Sequence, residues 1–164
     1  MSVSCLNRKR YNSRTYGAFT INGLFNDFIK GKSEDLQKKL THILGQTISI
    51  LDPKARNEEE ENFYHELLLG LLRSCRNWSV RSNVESRDGF ADILVQPEDS
   101  DIEIIIELKY TPDFSRLETY CQKTLEQIKN RRYDELLRED GKNELLAYDI
   151  AFCKKWCRSV DKRL

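Results

Sequence analysis

The alternation of apolar and charged residues from position 102 to position 109 predicts a β-strand with two unlike faces. Four aliphatic residues share one parity of this run: Ile102, Ile104, Ile106 and Leu108. Glu107 and Lys109 fall on the other parity, together with Glu103 and Ile105, so both side chains are expected on one face of the strand. Burying a charge is costly unless the charge is paired or binds a metal. Glu107 and Lys109 are therefore candidate functional residues.

A second apolar run, residues 90–95, is interrupted by Asp92. Two neighbouring predicted strands thus carry an acid where an aliphatic residue is expected, which is the layout of a metal-dependent phosphodiesterase. An alternative remains open at this stage. Glu107 and Lys109 are also compatible with an ion pair at the end of a strand, and Asp92 is compatible with an acid beside a turn.

The remaining pattern predicts an α/β chain. Helices are expected over residues 21–30, from Ser33 as N-cap to about residue 50, over 57–75 and over 115–138, while residues 1–20 are expected to be irregular. Strands are expected over residues 78–85, 90–96, 101–109 and 145–152. Short turns between the first three strands predict an antiparallel meander. The fourth strand follows a helical crossover and can therefore lie parallel to a neighbour.

Composition narrows the class of protein. The chain has 164 residues, of which 33% are charged, and a formal net charge of zero, which argues against coating of nucleic acid by bulk charge. No apolar run approaches the roughly 20 residues that span a bilayer, and the first residues lack a signal-peptide pattern. Five irregularly spaced cysteines are interpreted as reduced thiols, mostly in the core, which favours a cytoplasmic protein. Trp78 and Trp156 are interpreted as packing residues rather than base-stacking residues.

The order of these elements resembles the PD-(D/E)XK nuclease superfamily, in particular the branch often fused to AAA-ATPase-like domains. The likeness covers roughly residues 57–160 and rests on four segments, at residues 61–65, 85–93, 104–110 and 124–133, while residues 149–152 match the final strand loosely. It implies a restriction-endonuclease-like α/β core of helix, three-strand meander, helix and strand. Residues 1–56 would form an N-terminal helical extension, and residues 57–164 the nuclease-like domain.

The resemblance also implies roles for individual residues. Asp92, Glu107 and the Leu108 backbone carbonyl would hold Mg²⁺ or Mn²⁺, and Lys109 would orient the water or stabilise charge. His65 and Glu61 are further candidate metal ligands, although His65 is equally compatible with a histidine beside the core. On the long helix, substrate-positioning roles fall on four residues: Lys123, Gln127, Arg131 and Tyr133. The alternative for the basic members of this set is a solvated helix face.

Two departures from the superfamily pattern bear on function. Ala91 stands where proline commonly precedes the acid, and Phe90 stands where this branch often has arginine. The expected function is divalent-metal-dependent hydrolysis of phosphodiester bonds, in DNA rather than RNA. The alternative is a catalytically silent module of the same fold that binds nucleic acid or a protein partner. A homodimer and an ATPase-type partner protein are both compatible with the sequence.

Overall fold

Three helices precede a five-stranded sheet in the computed structural model, which describes residues 13–48, 57–86, 89–121 and 141–164. The helices are α1 (Ser13–Lys30), α2 (Ser33–Thr47) and α3 (Asn57–Arg73). The strands are β1 (Trp78–Ser86), β2 (Gly89–Pro97), β3 (Ile102–Tyr110), β4 (Glu144–Cys153) and β5 (Trp156–Arg163). The first four strands lie within about one residue of the positions that alternation predicts.

The strands are arranged in sequence order, β1-β2-β3-β4-β5. β1, β2 and β3 form the predicted antiparallel meander. β4 runs parallel to β3, with Glu107 opposite Asp149 and Lys109 opposite Ala151. The parallel pair confirms that the chain crosses from one end of the sheet to the other between these two strands.

The aliphatic face of the sheet packs against all three helices. The even-numbered residues Ile104, Ile106 and Leu108 of β3 are buried there, as the alternation predicts. Helix residues in the same core include Leu24 and Phe28 of α1, Leu36, Leu40 and Leu44 of α2, and Tyr64, Leu68 and Leu72 of α3. Since most helical stability in proteins comes from burial of an apolar face, this shared core stabilises the helices and the sheet together.

The opposite face of the sheet is also buried, which makes the charged residues on it informative. Ile105 lies in a small apolar cluster with residues of β2 and β4. Leu117 and Cys121 cover Ala151 on the same side. Glu103 and Glu107 share this face and are almost completely buried, so the structure keeps acids inside a covered surface.

Two expectations for the N-terminal region are wrong. Residues 13–20 are helical rather than irregular. They extend α1, whose C-terminal half is held by a hydrogen bond that the Tyr148 hydroxyl donates to the Phe28 carbonyl (2.9 Å). Ser33 is the first helical residue of α2 and not its N-cap; Lys32 occupies that position without a side-chain cap. The Ser33 N–H instead donates to Asp161 Oδ1 (3.2 Å), a carboxylate from the distant strand β5.

The basic segment after residue 153 is a strand, where only a tail was expected. β5 pairs antiparallel with β4. The pairing begins with Cys153 opposite Trp156 and ends with Leu146 opposite Arg163. Its alternate residues Cys157 and Ser159 are buried, which explains why so charged a segment forms an edge strand. The interpretation of the tryptophans is correct for Trp78, which packs on Phe25 with ring centroids 5.0 Å apart, and wrong for Trp156, which is 55% exposed.

The long predicted helix is described only at its start. A 3-10 turn, Phe114–Arg116, is capped by Asp113 and leads into helical residues 117–121. The four proposed substrate-positioning residues lie outside the described residues: Lys123, Gln127, Arg131 and Tyr133. No helix in the described ranges is long and apolar enough to cross a membrane. The four cysteines in those ranges are free, and all except Cys75 are buried.

Two glycines provide a matched test of the fold. Gly31 joins α1 to α2 with φ +65°, and a Cβ there would lie 3.0 Å from Asp161 Oδ2, the carboxylate that caps α2. Gly31→Ala is expected to destabilise the protein by about 1–2 kcal/mol, because a left-handed conformation is unfavourable for alanine. A Cβ at Gly70 in α3 would have no atom within 4 Å, so Gly70→Ala should stabilise the protein by about 0.5–1 kcal/mol. Urea unfolding of both variants measures the difference, and equal effects would contradict this account of the α1–α2 junction.

Candidate active site

The candidate site lies where β2 and β3 separate. The cross-strand pairs are Val95 with Ile104, Leu94 with Ile105 and Ile93 with Ile106. One residue beyond the last pair, the Asp92 carboxylate takes the place of a main-chain acceptor, and the Leu108 N–H donates to its Oδ2 atom (2.7 Å). The sequence-predicted acid of β2 is therefore hydrogen-bonded to the peptide group that joins Glu107 to Leu108.

A second carboxylate continues this arrangement along β3. The Tyr110 N–H donates to Glu61 Oε2 (3.2 Å), and Lys109 Nζ lies 3.6 Å from Glu61 Oε1. Within a strand the N–H and C=O of one residue point to the same side. The Leu108 carbonyl is thus directed to the same side as its N–H, towards the gap occupied by Asp92.

Helix α3 supplies both Glu61 and His65, which are four residues apart and share a helix face. His65 Nε2 lies 3.1 Å from the Asp92 carbonyl oxygen and 3.4 Å from Ser82 Oγ. A carbonyl oxygen only accepts, so Nε2 carries the proton in this bond. In this geometry His65 holds the main chain of β2 at Asp92 through Nε2, which leaves Nδ1 as the ring nitrogen with a lone pair.

Strand β1 is distorted directly beside Asp92. The pairs Ser82–Ile93 and Val84–Ala91 flank the position, and Asn83 between them has φ 51°. Asparagine adopts this left-handed conformation more readily than most residues do. Sequence reasoning missed Ser82 and Asn83, since a serine and an asparagine within a strand-like run carry no signal that links them to an acid on the next strand.

Glu107 has an acidic neighbour that sequence reasoning did not assign to the site. Glu107 is 4% exposed, and its partner across the parallel β3–β4 ladder, Asp149, is completely buried. Burial, followed by the negative charge of Asp149, raises the pKa of the Cys121 thiol to about 12. The alternation of β4 contained a signal for Asp149, because Leu145, Ala147 and Ala151 of the same parity are apolar.

An aromatic stack fixes α3 against the ends of β3 and β4. The Tyr64 ring stacks on Phe152 (4.6 Å between centroids) and on Tyr110 (5.6 Å). Its hydroxyl donates to the Lys154 carbonyl (2.7 Å). Burial first, and then the negative charge of Glu60, raise the pKa of both tyrosines above the usual value of 10, so neither hydroxyl is suited to accept or release a proton near neutrality. Their contribution is to position Glu61 and His65.

The structure thus gathers five sequence-predicted residues at one end of the sheet: Glu61, His65, Asp92, Leu108 and Lys109. Glu107 lies on the same strand segment, has the same parity as Lys109 and is almost completely buried. Within the described ranges, no group of three or more His, Cys, Asp or Glu side chains is arranged to hold a metal ion. A cation here would therefore depend on main-chain oxygen and water as well as on carboxylates.

Comparison with known proteins identifies a family for most of the chain. A family model described as PD-(D/E)XK nuclease superfamily matches residues 59–162, from the start of α3 to the end of β5. No curated protein and no solved structure matches the chain. The mixed α/β fold with its five-stranded sheet is consistent with the restriction-endonuclease-like fold of that superfamily. Since the match covers more than half of the 164 residues, the chain belongs to the PD-(D/E)XK nuclease superfamily.

Proposed function

We propose that the protein is a divalent-metal-dependent nuclease that hydrolyses phosphodiester bonds in DNA. Membership of a nuclease superfamily supports the class of reaction. The single observation that supports this chain as an active member is the hydrogen bond between Asp92 and the peptide that joins Glu107 to Leu108, with Lys109 next on the same strand. These are the acids and the lysine that the superfamily's chemistry requires.

The proposed cation ligands are Asp92, Glu107 and the Leu108 carbonyl. Carboxylate and carbonyl oxygens are hard donors, which suits Mg²⁺ or Mn²⁺. One oxygen of Asp92 is fixed by the Leu108 N–H, which orients the carboxylate in the gap between the strands. Such a cation would neutralise charge on the phosphate and lower the pKa of a bound water.

Lys109 is proposed to stabilise negative charge on the phosphate or to orient the attacking water. Its side chain is 33% exposed and 3.6 Å from Glu61, which limits the positions its ammonium group can adopt. Glu61 would therefore act through Lys109, and His65 through the main chain at Asp92. Preorganised charges of this kind stabilise a transition state more than mobile ones, because they need not reorganise during the reaction.

Substrate positioning by Lys123, Gln127, Arg131 and Tyr133 stays a proposal that rests on the sequence. Leu117 and Cys121, which precede these positions in the chain, cover the face of the sheet that holds Glu107. Phosphate contacts from such a helix would contribute salt-dependent affinity rather than chemistry.

Removing the proposed catalytic charges should abolish cleavage. Glu107→Gln keeps the shape of a buried side chain, and Lys109→Ala removes an ammonium group that is partly exposed. We expect both to reduce kcat by roughly 100-fold or more, because each removes a group that acts in the transition state. The measurement is a nuclease assay with Mg²⁺ and Mn²⁺ on single-stranded DNA, duplex DNA and RNA.

Glu98→Gln is the matched control, since it removes an exposed acid from the β2–β3 turn and should leave the rate unchanged. A wild-type protein that binds nucleic acid and cuts none of the three substrates would favour the catalytically silent module. Cleavage that persists in both Glu107→Gln and Lys109→Ala would place the active site elsewhere in the chain.

Asp92→Asn separates metal binding from folding. The amide oxygen of asparagine can still accept the Leu108 N–H, so the fold should be retained while one negative charge is lost. In the wild type, Mg²⁺ at 100 times its Kd would add about 2.7 kcal/mol of stability. For a chain of this size that corresponds to a rise in Tm of roughly 5–10 °C.

The Tm of each protein is measured with Mg²⁺ and with EDTA. We expect the Mg²⁺-dependent rise in the wild type and not in Asp92→Asn. Asp99 is an exposed acid in the β2–β3 turn, so Asp99→Asn controls for the loss of one negative charge at a position outside the site. Equal shifts in the wild type and in Asp92→Asn would mean that the cation binds away from this carboxylate.

A further inference from the structure

A cleft of about 610 Å³ opens between α2, the 3-10 turn and the start of β5. Its walls combine apolar and cationic groups, among them Thr41, Phe114, Leu117, Trp156, Lys38 and Arg158. Neither the sequence pattern nor the proposed catalytic residues account for it. A cleft of this volume is within the range of small-ligand sites, and the chemistry of its walls indicates what that ligand would be.

The two aromatic rings in the cleft are unusually exposed. Phe114 is 61% exposed and Trp156 is 55% exposed, whereas Trp78 is packed against the core. Phe114 and Trp156 contact each other edge to face, with centroids 5.9 Å apart and an interplanar angle of 79°. In an edge-to-face pair the rings contact through one edge and one face, which leaves ring surface available for stacking.

Cationic groups flank these rings. Lys38 and Arg158 line the cleft, and Lys154 and Lys155 form the turn that leads into Trp156. Glu118 is the acid in the cleft wall, and it is paired with Arg158 (Nε–Oε2 2.6 Å). Aromatic faces beside positive charge are the elements with which proteins bind unpaired nucleotides, through base stacking and phosphate attraction.

The cleft lies at the same end of the sheet as the candidate site. Phe114 follows β3 by four residues, and Trp156 follows β4 by three. The turn between β4 and β5 contacts α3 through the bond from the Tyr64 hydroxyl to Lys154, and Tyr64 is adjacent to His65. A strand of nucleic acid that binds at the carboxyl ends of β3 and β4 would thus lie at the end of the sheet that holds both the cleft and the candidate site.

We propose that this cleft stacks an unpaired base of a single-stranded nucleic acid and thereby selects single-stranded substrate for the site at Asp92 and Lys109. The inference rests on the proposed nuclease function. Bases in a duplex stack on one another and do not expose their faces to a protein side chain, whereas an unpaired base can be splayed onto an aromatic ring. The cationic flank favours a polyanion over an apolar peptide.

Binding is tested without cleavage, in the Glu107→Gln protein with EDTA. The probe is a labelled mixed-sequence DNA oligonucleotide, either single-stranded or annealed to its complement, and affinity is read by anisotropy. Trp156→Ala should weaken single-strand affinity roughly 5- to 150-fold, the range for loss of one stacked base. Trp156→Phe should retain most of the affinity. Phe63→Ala removes an exposed ring that does not line the cleft and serves as the matched control.

Fluorescence supplies a second readout. The chain has two tryptophans, so in a Trp78→Phe background the emission reports Trp156 alone. Single-stranded oligonucleotide should quench this emission, and duplex should not. Unchanged affinity in Trp156→Ala, or equal quenching by the duplex, would overturn the proposal.

The cleft and the catalytic proposal can fail separately. If the wild type cuts single strands and Trp156→Ala cuts them with unchanged kcat/KM, the nuclease function stands and the cleft proposal is wrong. If Trp156 is quenched and its loss weakens binding while no substrate is cut, the cleft binds an unpaired base, and both the nuclease function and the role of the cleft in substrate selection are wrong.

Discussion

The separation of β2 from β3 is the constraint on which the rest of the site depends. Past Ile106, the N–H groups of Leu108 and Tyr110 have no strand opposite them, and a buried donor without a partner costs about 1–3 kcal/mol. The carboxylates of Asp92 and Glu61 accept these two bonds. Asp92, a proposed cation ligand, and Glu61, which contacts Lys109, therefore also complete the edge of the sheet, and their positions follow from the hydrogen bonds that β3 requires.

Helix α3 can supply side chains to this edge of the sheet because apolar packing fixes the position of the helix. Leu68 and Leu72 are buried in the shared core, and Tyr64 stacks between the ends of β3 and β4. Glu61, three residues before Tyr64, then reaches Lys109, and His65, the residue after Tyr64, reaches the Asp92 carbonyl. The apolar packing of α3 thus sets the positions of the polar side chains at the site. This packing tolerates little displacement because protein interiors are closely packed.

Burial of acids on the covered face has a different consequence. Glu107 and Asp149 lie opposite each other on parallel strands, so two acids share one buried stretch of this face. The cation proposed to bind Glu107 would therefore also lie on the face that buries Asp149. The proposed cation would neutralise charge at the sheet, whereas the exposed rings of Phe114 and Trp156 would contribute the proposed base stacking.

The sequence by itself determined the strands, their faces and the acids on them, because a period of two requires only local information. It placed Asp92, Glu107 and Lys109 on neighbouring strands and predicted the meander and the parallel fourth strand. Tertiary structure alone decided that β5 is a strand, since its pairing partner and its covering helix α2 are remote in the chain. It also decided that Asp161 caps α2, that His65 bonds to the Asp92 carbonyl and that Trp156 faces solvent. Each of these depends on which distant backbone group lies within hydrogen-bonding or packing distance, and no local pattern of residues encodes that distance.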